Sequence, residues 1–176
     1  MASVWIALLR AVNLGARNKV PMAGLRQVFE EAGAEDVRTY IQSGNVVFAH
    51  AKPDREALEA AVAKAFGVKT VIVLRTARQM KKLAGSHPFG KDTSKSAVAF
   101  LAGQPGRAAL RELAELDIAP DKFEPIGPDI ALYYPKGFQG AQLTAARLEK
   151  LLGVPGTARN WRTVAKLAEL ANRPAG

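Results

Sequence analysis

Cysteine is missing from the 176-residue chain, which removes a disulfide framework, a thiolate metal site and a Cys nucleophile together. The simplest home for such a chain is the cytoplasm. Histidine is almost as scarce: His50 and His87 are the only two, and their spacing makes no metal site. No apolar run approaches the ~18 residues a membrane helix needs. The apolar start, Val4 to Leu9, has no basic region before it and no small-residue cleavage site after it, so it reads as a first strand. Nor do paired carboxylates, a nucleophile elbow around Ser43 or a phosphate-cradling glycine motif occur. A membrane partner, a bound metal and a cofactor are therefore not expected. His87 before Pro88-Phe89, with Asp92-Thr93-Ser94 close by, reads more readily as a polar loop than as a proton shuttle.

What the chain does have is core: 48% of its residues are hydrophobic, enough for one compact domain or two small fused ones. Val4 to Val12 reads as a strand. Met22, Leu25, Val28, Phe29 and Ala32 then recur at helical spacing up to Gly33. Val37 to Ile41 and Val46 to Ala49 are two short strands around Ser43-Gly44-Asn45, which is hairpin-turn chemistry. Pro53 suits the first turn of the next helix, whose apolar face ends at Gly67, and Lys69 to Leu74 is again a strand. The order is β-α-β-β-α-β, the ferredoxin-like unit.

The second half repeats it. Strand 97–102, helix 107–116, strands 123–126 and 130–134 around Gly127-Pro128, and a helix ending at Gly153 lead through a short extended piece into a last helix over 161–171. The fold class expected is α+β, a duplicated ferredoxin-like plait of two similar halves, 1–84 with a connecting helix and 95–176 with the extra C-terminal helix. The runs Val4 to Leu9, Val71 to Leu74 and Ala97 to Leu101 are apolar at both parities, so both faces of each strand should be buried. That argues against an open sheet on which bases stack.

The net charge of +9 is uneven. Residues 1–29 hold four bases and no acid, and residues 69–111 hold nine bases and one acid, whereas 30–68 and 112–155 each hold four bases and seven acids. Gathered on one face, the basic segments form an anion-attracting field; spread around the surface, they only keep the protein in solution.

Three polar clusters stand out. Residues 10–19 lie between the first strand and first helix, where unpaired helix N–H groups beside Arg10, Asn13, Arg17, Asn18 and Lys19 suit phosphate or carboxylate. The competing reading has Asn13 and Asn18 holding turns. Gln42, Ser43 and Asn45 offer neutral donors and acceptors for a base, sugar or amide, or are turn residues alone. Arg159 and Asn160 precede the last helix, Arg159 as a guanidinium fork for an anion or as the partner of an acid, Asn160 as a helix cap with Trp161 buried behind it.

Long stretches also match a pattern. Arg10-Ala11-Val12-Asn13-Leu14-Gly15 with Asn18-Lys19-Val20-Pro21-Met22, then residues 39–48 (Thr-Tyr-Ile-Gln-Ser-Gly-Asn-Val-Val-Phe), His87-Pro88-Phe89 and residues 157–167 resemble the bacterial family called domain of unknown function 1697. The resemblance spans nearly the whole chain and implies a small soluble α/β protein with a duplicated ferredoxin-like arrangement; it brings no activity, catalytic residue or ligand with it. Arg162 departs from the family pattern, where Asn is expected after the Trp. The reading that the residues favour is a binding protein that takes nucleic acid or an anionic, phosphate-bearing small molecule in a basic cleft. The alternatives are a small-molecule enzyme of unidentified reaction and a self-associating homo-oligomer.

Overall fold

The computed structural model describes residues 1–174, which form two compact units: Met1–Lys82 with the chain from Ala165 onward, and Leu83–Val164. In the first unit the order is β1 (Ser3–Leu9), α1 (Met22–Glu31), β2 (Glu35–Thr39), β3 (Asn45–His50), α2 (Arg55–Phe66) and β4 (Ile72–Thr76), followed by α3 (Ala77–Ala84). Its sheet is antiparallel, ordered β2-β3-β1-β4, the ferredoxin-like arrangement. The second unit builds the same sheet, β6-β7-β5-β8, from β5 (Ser96–Leu101), α4 (Arg107–Glu115), β6 (Lys122–Ile126), β7 (Asp129–Tyr133), α5 (Ala145–Leu152) and β8 (Gly156–Asn160). The terminal helix α6 spans Trp161–Ala171. The duplicated α+β plait expected from the sequence is the fold. The sequence assigns α6 wholly to the second half, while the compact units divide the chain between Val164 and Ala165.

Helices cover one face of each sheet. In the first unit Ala7, Leu9, Val46, Phe48 and Ile72 pack with Leu25, Val28 and Phe29 of α1 and with Leu58 and Val62 of α2. Phe29 meets Phe48 edge-on at 5.1 Å. In the second, Ala97, Ala99, Leu101, Ile130 and Leu132 pack with Leu113 of α4 and Leu148 and Leu152 of α5. Each fully buried side chain of this size contributes about 1.5–3 kcal/mol. The alternate residues are buried as well: Ile6, Leu8, Val98 and Phe100 are all 0% exposed, as their apolar runs require.

Strand and helix ends moved where local chemistry overrides hydrophobic pattern. Strand β1 stops at Leu9 rather than Val12, because Ala11 and Asn13 take positive φ (56° and 53°) and leave the extended region. Strand β2 stops at Thr39 because Ile41, at φ 50°, turns the chain. Pro53 lies outside α2, since the Asp54 carboxylate accepts from Ala57 N and makes Asp54 the cap. No helix among the described residues is long and apolar enough to cross a membrane.

Candidate functional site

In the first unit the connection from β1 to α1 and the β2–β3 hairpin leave the same end of the sheet, because the start of β3 pairs with the end of β1 (Leu8 opposite Asn45). The Asn13 side chain joins them. Its amide nitrogen donates to Val20 O (2.9 Å) and to Gln42 O (2.7 Å), and its oxygen accepts from Val20 N (2.7 Å). Asn18 ties off the same loop, its side-chain amide donating to Ala11 O at 2.9 Å while its backbone carbonyl accepts from Asn13 N. Asn45, fully buried, holds the hairpin from below by donating to Tyr40 O and Ser43 Oγ. The hydrogen bonds of these three amides support the loop and the hairpin, through backbone groups and, for Asn45, through the Ser43 hydroxyl as well.

That geometry is unusual. Ala11, Asn13, Asn18 and Ile41 adopt positive φ without being glycine, and Ile41 is β-branched, for which the left-handed region is strongly disfavoured. Gly44 is required at φ +84°, for a Cβ there would sit 2.6 Å from Val12 Cγ2 and 2.9 Å from Leu9 Cβ. The lock presents a surface. Leu14 (60% exposed) and Ile41 (49%) stand out beside exposed Arg17, Lys19 and Gln42. Among the described residues the charged groups of Arg17 and Lys19 form no ion pair or hydrogen bond. Arg10 is half-buried, its backbone clasped by Val71 O, which accepts from its N–H, and by the Thr70 hydroxyl, which donates to its carbonyl. Fifteen of the bases and eight of the acids belong to this unit, +7 of the net +9.

Arg159 and Asn160 belong to the second unit. Arg159 is buried on the sheet face away from α4 and α5, opposite Val98, and donates to Thr157 Oγ1 at 2.6 Å and Ala158 O at 3.0 Å. Burial lowers its pKa to about 10. Asn160 caps α6, accepting from Thr163 N at 2.9 Å, with Trp161 buried behind it. His87 Nδ1 lies 2.7 Å from Gly90 O, a group that only accepts, so Nδ1 carries the proton and Nε2 accepts from the Ser96 hydroxyl at 2.8 Å. This hydroxyl–imidazole pair has the form of an activated nucleophile, but Ser96 is 0% exposed. The imidazole also packs edge-on against Trp161 (4.6 Å) and Phe89 (5.7 Å). Asp92 is used locally, its carboxylate bonded by Ser94 and held below the usual range by those bonds.

Sequence reasoning passed over the two exposed apolar tips, Leu14 and Ile41, and the buried Asp121, whose Oδ2 accepts from Gln142 N (2.5 Å) and Leu143 N (3.2 Å). Ile41 looks like the end of a strand in any local pattern. Asp121 takes its role from residues more than twenty positions away, which no local spacing signals.

Comparison with known proteins agrees with the fold. A solved structure of a conserved bacterial protein from Streptococcus pneumoniae superposes with a TM-score of 0.78 at 20% identity, over 98% of this chain and 100% of that one. No curated protein matches the chain. The model of the family described as protein of unknown function (DUF1697) matches residues 2–130, and the chain belongs to that family.

Proposed function

We propose that this is a binding protein that docks a phosphate-bearing partner, nucleic acid in the first instance, on the paired loops of its first unit. The observation that carries this reading is the Asn13 lock. Asn13 ties a strained loop to a hairpin, Asn18 and Asn45 hold the loop and the hairpin themselves, and what the lock displays is two cationic side chains with no partner among the described residues, Arg17 and Lys19. Strain of this kind persists only where the surroundings enforce it, and it collects at sites that must be held in one shape. The unit's excess of bases supplies the long-range attraction, the loop the short-range contact. Gln42, exposed at the hairpin tip, adds a neutral donor and acceptor for a sugar or base edge.

The enzyme alternative has less behind it, because the Ser96–His87 pair is sealed from substrate. Fluorescence-anisotropy titration of tRNA and of single-stranded DNA tests the reading. Binding at 50 mM salt should fall about a thousandfold by 200 mM if six or more phosphates are contacted. A flat salt dependence, or no binding at low salt, removes it.

A further inference from the structure

Ile41 sits where folding alone would not put it. Its φ of 50° lies in the left-handed region, which glycine, asparagine or aspartate enters at far lower cost than a β-branched side chain. Burial does not offset that cost, for Ile41 is 49% exposed. Leu14, on the neighbouring loop, is 60% exposed. The lock sets the two tips on adjoining loops: Leu14 follows Asn13, Ile41 precedes Gln42, and the Asn13 side chain donates to Gln42 O at 2.7 Å. Cations belong to the same loop. Leu14 bridges to Arg17 across a tight turn, with Arg17 N donating to Leu14 O at 3.0 Å, and exposed Lys19 follows. Apolar tips flanked by cations suit one way of meeting a nucleic acid in particular. Stacking on single-stranded bases calls for aromatic faces, and the one aromatic side chain of these loops, Tyr40, is half-buried. Leucine and isoleucine act instead as wedges that enter between stacked base pairs while cations beside them hold the phosphates.

We infer that the partner of these loops is a double helix at a step whose stacking is weak, such as a bulge, with Ile41 and Leu14 as the wedges and Arg17 and Lys19 on the flanking phosphates. A weak step is the cheapest to open, so a wedge selects it over regular duplex. The wedge also accounts for an isoleucine kept at a strained, exposed position, since the contact that favours it lies outside the chain. The inference rests on the nucleic-acid reading of the same loops and names what they select within it.

The test is a titration of the full chain into a short DNA duplex carrying the fluorescent base 2-aminopurine, which brightens on unstacking, beside a single-nucleotide bulge, and into the fully paired duplex. The parent should bind the bulged duplex several-fold more tightly and brighten its probe. Ile41→Asn should weaken binding to the bulged duplex by about tenfold and abolish the brightening. It should leave the slope of log affinity against log salt unchanged, because a neutral side chain neutralises no phosphate. It should also melt no lower than the parent, because asparagine tolerates the left-handed conformation. Should it melt far lower, Leu14→Ser carries the decision, with weaker binding and loss of brightening expected. Salt-dependent binding with no preference for the bulge, no brightening, or equal affinity in the variants overturns this inference and leaves the nucleic-acid reading standing. No binding of either duplex, tRNA or single-stranded DNA at low salt removes both. Sedimentation with phosphatidylserine vesicles that Ile41→Asn abolishes, or a dimer in light scattering that it dissolves, would assign the tips to a lipid surface or to a second copy of the chain and likewise overturn the inference.

Discussion

The two units share one topology and elaborate opposite ends of it. In the first, the β1–α1 connection runs over twelve residues (10–21) and the β2–β3 hairpin over five (40–44), where the second spends five (102–106) and two (Gly127-Pro128). At the other end the proportions reverse: α4–β6 and β7–α5 take six and eleven residues (116–121 and 134–144), against three and four (32–34 and 51–54). Each pair of long loops is tied by one short polar side chain, Asn13 in the first unit and Asp121 in the second. The chemistry then diverges. The neutral tie of the first unit leaves the cations Arg17 and Lys19 exposed, while the charged tie of the second keeps one carboxylate oxygen buried with no hydrogen-bond partner among the described residues. The repeated sheet is a scaffold, and the two units differ in which end of it was lengthened.

The sharpest way to break this comparison is through the two hairpin glycines. Gly44→Ala should cost about 2–5 kcal/mol, combining the left-handed penalty with overpacking against Val12 and Leu9. Gly127→Ala, at φ +57° with nothing within 4 Å, should cost only about 1–2 kcal/mol. Urea unfolding of both variants measures the gap, and equal losses would mean the first hairpin is not packed against its neighbouring loop.

The ties come next. Asn13→Ala and Asp121→Ala should each cost about 1–3 kcal/mol, since each strips partners from backbone groups that are wholly or partly buried. Their effects should stay local. Hydrogen exchange is expected to quicken at Val20 in the first variant and at Gln142 and Leu143 in the second.

The smallest effect concerns Tyr134, whose hydroxyl donates to Leu143 O at 2.7 Å in the long loop of the second unit. Burial, with Asp121 adding to it, pushes the hydroxyl up to about 12 from an ordinary 10. Between these values the unfolded chain loses its proton first, so the contribution is complete below pH 10 and is lost as pH rises through about 12. Tyr134→Phe should cost about 1 kcal/mol at pH 8, and the gap to the parent should narrow at pH 11. A constant gap would mean that the hydroxyl ionises alike in both states.

How much of this was legible in the sequence depends on the range of the interaction. Both β-α-β-β-α-β halves and the terminal helix were readable because apolar spacing, Gly67 and Gly153 as left-handed helix caps, and Gly127-Pro128 as a turn are all local signals. The cap at Asn160 was readable for the same reason. The site was readable in composition but not in role. Asn13, Asn18 and Asn45 stood out as polar, yet whether an amide faces a ligand or its own backbone is decided by partners as distant as Gln42, twenty-nine residues from Asn13. Arg159 stood out as a cation before a helix, but strand pairing with β5 turns it onto a buried face. Ile41 and Asp121 stood out in no way, because a positive φ and a tie across a loop are products of tertiary structure.

On the proposed reading, the basic surface of the first unit acts through its locked loop rather than through net charge. The direct measurement is the slope of log affinity against log salt for tRNA in two double variants of equal charge, Arg17→Ala with Lys19→Ala, and Arg107→Ala with Arg111→Ala on exposed positions of α4. Loss of two phosphate contacts should lower the slope by about two in the loop variant and leave it unchanged in the α4 variant. Equal changes in both would contradict the account, and would reduce the interaction to the attraction of any polyanion for a basic protein.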